Sequence, residues 1–137
     1  MNGILGKYRP HLYAILRIVS GLLFAMHGTQ KLLGWPGEKP VVELASLMGL
    51  AGVIELVAGL MIAIGFLTSW AAFISSGEMA VAYFMAHAAE NFWPILNNGE
   101  LAILYCFLFL YIAASGSGIW SLNDVFRTKT DHQTSLT

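Results

Sequence analysis

An all-α bundle of four membrane-spanning helices is the fold class this sequence predicts, and three observations predict it. Hydrophobic residues make up 57% of the 137 positions and charged ones only 11%, against about 25% charged in an average soluble domain. The apolar residues gather into runs of the roughly 20 residues that a helix needs to cross a bilayer. Lys and Arg flank these runs with a bias to one side. A surface facing water could hardly be covered from this composition, whereas one facing lipid could. The net charge of -1 argues against a nucleic-acid partner, which requires a basic face.

The first span is expected at about Leu12–Leu33 and the second at about Leu47–Leu67. Between them runs the proline-marked loop Gly34-Trp35-Pro36-Gly37-Glu38-Lys39-Pro40. Thr68-Ser69 then forms a tight hairpin into a third span, about Trp70–Ala88. Trp93-Pro94 and Asn97-Asn98-Gly99 mark a turn-rich connection to the fourth, about Leu101–Trp120. The whole chain reads as one transmembrane domain with a polar tail from about Asn123, fraying from about Thr128. The first run has a basic flank, but it is longer than a signal-peptide core and no small-x-small site follows, so it is read as a retained span. Cys106 lies alone in an apolar run and excludes a disulfide framework or thiolate metal site.

Lys7, Arg9, Arg127 and Lys129 flank the two termini, while the loops on the other side hold only Lys39. The positive-inside rule therefore places both termini in the cytoplasm. Tyr8, Tyr13, Trp70 and Trp120 fit an inner aromatic belt, and Trp35, Phe92 and Trp93 an outer one.

The informative residues are the ionisable ones inside the spans. A charge at mid-bilayer costs about 2.5–3.5 kcal/mol even on lenient scales, so such groups turn inward and find partners. They are Arg17, His27 and Lys31 in the first span, Glu55 in the second, Glu78 and His87 in the third, with Glu100 opening the fourth. His27 and Lys31 stand one turn apart on a stripe shared with Gly21 and Gly28, and Gly52, Glu55 and Gly59 share a face of the second helix. Small residues on such faces let helices approach closely.

At ~1.5 Å per residue, His27 and Glu55 lie about 10 Å deep from the outer side and Glu78 about 15 Å. His27, Lys31, Glu55 and Glu78 thus form an expected outward-facing pocket for a ligand or a proton relay. His87 and Glu100 are secondary candidates at its mouth. Two carboxylates beside one ammonium leave a negative charge without a counter-ion. Arg17 lies close enough to the cytoplasmic side to snorkel. Glu78 and His87 are nine residues apart, about 180° around an ideal helix, so both point inward only if the helix departs from α geometry.

A purely structural account competes with this one: Lys31–Glu55 or Arg17–Glu78 as ion pairs that fix helix packing. No metal site is expected, because two lone histidines are a weak signal and no H-E-x-x-H or Glu-x-x-His pair occurs. Catalytic residues are not identifiable, since no nucleophile stands beside a base with its own orienting group.

The first span reads Arg17-x3-Gly21-x2-Phe24-x2-His27-Gly28-x2-Lys31-Leu32-x-Gly34. Glu55-x3-Gly59, Gly65-x2-Thr68, Ala71-Ala72 and Met79-Ala80 follow, then Asn98-Gly99-Glu100 and Gly116-x-Gly118-x-Trp120-Ser121-Leu122. Over about residues 10–124 this pattern resembles the DoxX family of small bacterial membrane proteins. Asn123 before Asp124 departs from it, and affects only the helix exit. The resemblance implies four transmembrane helices in a bacterial cytoplasmic (inner) membrane. Some members of that family are subunits of a thiosulfate:quinone oxidoreductase, others belong to redox-stress complexes, and many have no assigned activity.

Two functional readings follow. In one, the chain is a quinone-linked redox subunit: His27 or Lys31 donates to a quinone carbonyl, and Glu55 or Glu78 relays protons. The chain itself has no flavin or dinucleotide fingerprint and no cluster-ligating cysteines, so a partner redox subunit would bring the electrons. In the other, it is a non-catalytic membrane module for a partner protein or small hydrophobic ligand. The sequence does not fix the oligomeric state.

Overall fold

The computed structural model describes residues 3–126. Arg127, Lys129 and the tail beyond Thr128 lie outside the described residues. After a 3-10 turn at Gly6–Tyr8 come α1 (Arg9–Leu33), α2 (Leu47–Ile64), α3 (Thr68–Ala82) with a π-helical continuation at Tyr83–His87, the single turn α4 (Pro94–Asn97) and α5 (Glu100–Ser115). Long elements α1, α2, α3 and α5 make a four-helix bundle. Two stretches, Gly6–Leu33 and Leu47–Ile64, are by themselves long and apolar enough to cross a membrane. One end of the bundle carries the start of α1, the α2–α3 turn and the segment after α5 (the turn end); the other carries residues 34–46 and 88–99 (the loop end).

The most extensive packing joins α1 to α2 and α3 to α5. Glycines explain the first pairing. A methyl group at Gly21 would lie 2.6 Å from the Ala63 amide nitrogen, and one at Gly28 would lie 2.5 Å from that of Leu56. Gly59 answers from α2, 2.6 Å from the Ala25 nitrogen by the same measure. The expected small-residue faces are thus the α1–α2 seam. Aromatic rings join α1 to α5: Phe24 packs edge-on to Phe109 at 4.7 Å and lies 5.4 Å from Tyr105, and these two α5 rings stack on each other at 5.2 Å. Ser76 of α3 donates to the Cys106 carbonyl of α5 at 2.8 Å. The opposite face of α1 exposes Ile15, Leu16, Val19, Leu22, Leu23 and Met26, each between 42% and 49% accessible. A continuous apolar face of this kind is suited to lipid and not to water.

Helix ends differ from expectation at three places. Thr68 and Ser69, expected as the hairpin, open α3 instead, and the turn before them ends at Leu67 with a left-handed φ of 45°. Residue Ile64, not Leu67, ends α2: Gly65 takes a left-handed φ of 75° and the Phe66 amide bonds back to the Met61 carbonyl, a Schellman-type ending. Ser115, not Trp120, ends α5, because Gly116 (φ 78°) and Gly118 (φ 64°) break the ladder. At about 24 Å, α5 falls short of the roughly 30 Å hydrocarbon core. The irregular backbone that completes the crossing needs donors from elsewhere, since lipid supplies none.

Arg17 supplies them. Expected to snorkel, it is fully buried instead. Its Nη1 donates to the carbonyls of Ile62 (2.6 Å) and Ala63 (2.7 Å), its Nη2 to those of Ile119 (3.3 Å) and Trp120 (2.8 Å). It therefore caps the C-terminal end of α2, where the helix dipole favours a cation, and satisfies the segment after α5. The alternative Arg17–Glu78 ion pair does not form. Tyr13 is also no free belt residue: its hydroxyl donates to the Gly116 carbonyl at 2.5 Å. Tyr8, Trp70 and Trp120 at the turn end, and Trp35, Phe92 and Trp93 at the loop end, are exposed as two aromatic belts require.

Candidate functional site

The short α2–α3 turn keeps these two helices together at the turn end, where Ala58, Ile62, Ala71 and Ala72 belong to the core. Toward the loop end a cavity of about 670 Å³ opens, lined from all four long helices. Its back wall is Phe24, Ala102 and Tyr105, all buried. Its polar groups include His27, Lys31, Glu55, Glu78, His87 and Asn98, so the four residues expected to share a pocket do share one.

Lys31 Nζ donates to Glu55 Oε1 at 2.7 Å, the salt bridge present among the described residues. Glu55 is 3% accessible, and its other oxygen, Oε2, is buried without a partner. Glu78 is within electrostatic range of both members of the pair. Neither of its carboxylate oxygens is accessible and neither has a hydrogen-bond partner. Buried carboxyl oxygens are normally satisfied, so unsatisfied ones require an explanation. Glu55 and Glu78, which carry these three oxygens, line a roomy cavity: a group that brings donors or a proton there would complete the site once the carboxyl groups turn to meet it.

The π-helical segment answers the angular conflict between Glu78 and His87. Ala88 donates to the Tyr83 carbonyl, an i→i+5 bond that widens the turn. Five residues then cover less rotation than in an α-helix, and both side chains line the cavity. Such π turns are rare and concentrate at functional sites. His87 Nδ1 lies 2.9 Å from the Asn97 carbonyl. A carbonyl only accepts, so Nδ1 carries the hydrogen of this bond. Glu100 is not brought in: it is exposed at the start of α5 and does not line the cavity, because α5 turns that position outward. Arg17 sits at the opposite end, engaged as described.

Sequence reasoning passed over two participants. Tyr105 stands in an apolar run, yet it lines the cavity with its ring edge-on to His27 at 6.2 Å. Asn97, read only as a turn residue, is buried and ties the loop end together. Its side chain donates to the Asn91 carbonyl and accepts from the Gly99 amide at 2.7 Å, while its own carbonyl holds His87. No group of three His, Cys, Asp or Glu side chains arranged to hold a metal occurs among the described residues.

A lipid-facing helical bundle with ionisable groups turned into a cavity defines a small polytopic membrane protein. The family model described as DoxX matches residues 12–88, and the chain belongs to the DoxX family. A Haemophilus influenzae protein, described as an uncharacterized protein, is 46% identical over 132 residues, covering 91% of this chain and 98% of that one. That second likeness carries the similarity past residue 88, through α5 and its exit. No solved structure matches the chain.

Proposed function

We propose that the chain is a quinone-linked redox or redox-stress subunit of the bacterial inner membrane, with both termini cytoplasmic, and that the cavity receives the quinone head. The observation that carries this reading is the unsatisfied Glu78 carboxyl beside the Lys31–Glu55 pair, in a cavity whose lining is otherwise mostly apolar. A volume of about 670 Å³ is within the roughly 300–1,000 Å³ of small-molecule sites. The donor set fits a quinone. The Lys31 ammonium has three hydrogens and uses one on Glu55; the Tyr105 hydroxyl and His27 are further donors. Glu78 is placed to hold a proton at the cavity, with Glu55 next to it. A bound quinone supplies a two-electron, two-proton couple, and electrons come from a partner redox subunit.

Organic extraction of protein purified in mild detergent tests this. Stoichiometric quinone is expected with the wild type, and its loss with Glu78→Gln. No extractable quinone and no saturable binding of an added short-chain quinone would leave the second reading, a non-catalytic module for a partner protein or another small hydrophobic ligand. That reading is favoured by the absence of flavin, dinucleotide or cluster motifs in the sequence. Orientation has its own check: reporter fusions after Lys39 and after Asn97 are expected on the external side, and a cytoplasmic signal from either overturns it.

A further inference from the structure

We propose that the ligand reaches the cavity sideways from the bilayer, through a gap between α2 and α3 at Gly77, and that it is a long-chain quinone whose tail occupies that gap. The inference rests on the quinone reading of the preceding subsection and adds the route and the tail.

The lining residues divide by exposure. Phe24, Ala102 and Tyr105, from α1 and α5, are 1% to 7% accessible. Leu50 on α2 and Ile74 and Val81 on α3 line the same cavity yet are 54%, 51% and 53% accessible. A residue that both lines a cavity and faces outward marks its mouth, and these marks fall along the facing edges of α2 and α3. The surface there is lipid-facing, so the mouth opens into hydrocarbon. Met48 and Met85, flexible side chains that adapt to irregular apolar shapes, stand on its two sides.

Gly77 is the second, independent observation. A glycine inside a helix costs backbone entropy and needs a reason. Gly21, Gly28 and Gly59 have one in the α1–α2 seam, where backbone atoms of the partner helix lie within 2.7 Å of the methyl position. At Gly77 a methyl group would meet nothing within 4 Å, and its φ is not in the left-handed region. Neither packing nor backbone conformation explains it among the described residues. Its position does: it lines the cavity directly before Glu78. A missing side chain there keeps the way open past the apolar rim to the part of the cavity that Glu78 and Glu55 line. An occupant with a hydrogen-bonding head and one apolar chain matches both parts, the head on the carboxyl groups and the chain between Leu50 and Val81.

The test compares Gly77→Trp with Gly77→Ala by calorimetric titration in nanodiscs, using a tailless benzoquinone and the same head on a decyl chain. Gly77→Ala is expected to bind the tailless compound like the wild type and the tailed one more weakly than the wild type but better than Gly77→Trp, because its methyl group meets no protein atom yet narrows the gap. Gly77→Trp is expected to bind the tailless compound within about twofold and the tailed one at least about tenfold more weakly, a factor that corresponds to 1.4 kcal/mol. Equal binding of both compounds by Gly77→Trp, or an equal loss of both in a variant with wild-type melting, overturns the lateral route while leaving the quinone site standing. A wild type that binds neither compound overturns the quinone reading and the route with it. Should Gly77→Trp fail to insert, Val81→Trp, one turn along on the same rim, carries the same expectations.

Discussion

At the turn end, both terminal nitrogens of Arg17 are committed to carbonyls, two at the end of α2 and two after α5. At the loop end, both oxygens of Glu78 and one of Glu55 are buried with nothing bound to them. The same chain thus carries two intramembrane polar centres of opposite character. The first is largely closed: its charge finishes backbone that lipid cannot satisfy, Nε alone is left buried without a partner, and the cavity plays no part in it. The second is open: once Lys31 has met Glu55, three carboxylate oxygens remain without a hydrogen bond. Depth in the membrane does not separate the two centres; how far their polar atoms are satisfied does.

The difference can be broken by substitution, and the largest effect is expected at the closed centre. Arg17→Met removes four charge-assisted hydrogen bonds, each worth about 1.5–3 kcal/mol, so a loss of about 5 kcal/mol or more is expected. It would be read as failure to accumulate or as a collapse of the melting temperature in detergent. Arg17→Lys is expected to rescue little, because one ammonium cannot reach both pairs of carbonyls. A stable Arg17→Met protein would show that the segment after α5 finds its donors elsewhere.

Next comes the ion pair that borders the cavity. Lys31→Met strands the Glu55 carboxylate at a cost of about 3 kcal/mol, the low end for a buried pair because Lys31 is partly exposed. Combining it with Glu55→Gln is expected to restore most of the melting temperature without restoring ligand binding. Equal melting temperatures for Lys31→Met and wild type would remove the pair from the account. A smaller effect, about 1–3 kcal/mol of overpacking strain, is expected from Gly28→Val. There the added carbon meets the Leu56 nitrogen and the Gly52 carbonyl oxygen across the α1–α2 seam. Chemical denaturation of the two variants in mixed micelles would rank them.

Much of this contrast was legible in the sequence. Run lengths place the four long helices, and Gly21, Gly28 and Gly59 announce the α1–α2 seam. The spacing of Lys31 and Glu55 brings both to one pocket with His27 and Glu78. What the sequence conceals depends on neighbours distant along the chain. Arg17 lies near enough to a membrane face to snorkel, and its carbonyl partners come from the end of α2 and from residues 119 and 120. No local pattern declares that such carbonyls need a donor. Tyr83–His87 carries no local signal for a π turn, so the helical arithmetic placed Glu78 and His87 on opposite faces. Tyr105 hides in an apolar run, where a tyrosine reads as core. Glu100 was misjudged for the converse reason: its rank as the first residue of a span says nothing about which way α5 faces.

The smallest effect on stability is expected at Glu78, and it is the one that decides the account. Its carboxyl has no hydrogen bond to lose, and its attraction to Lys31 is opposed by repulsion from Glu55. Glu78→Gln is therefore expected to melt no lower than about 0.5 kcal/mol below the wild type, relief of a buried unsatisfied carboxyl offsetting the lost attraction. Quinone binding by the same protein is expected to disappear. Melting curves and a short-chain quinone titration on one Glu78→Gln preparation measure both quantities together. Unchanged stability with lost binding is the predicted result. A marked fall in melting temperature with binding intact would contradict it, and would make the open centre as structural as Arg17.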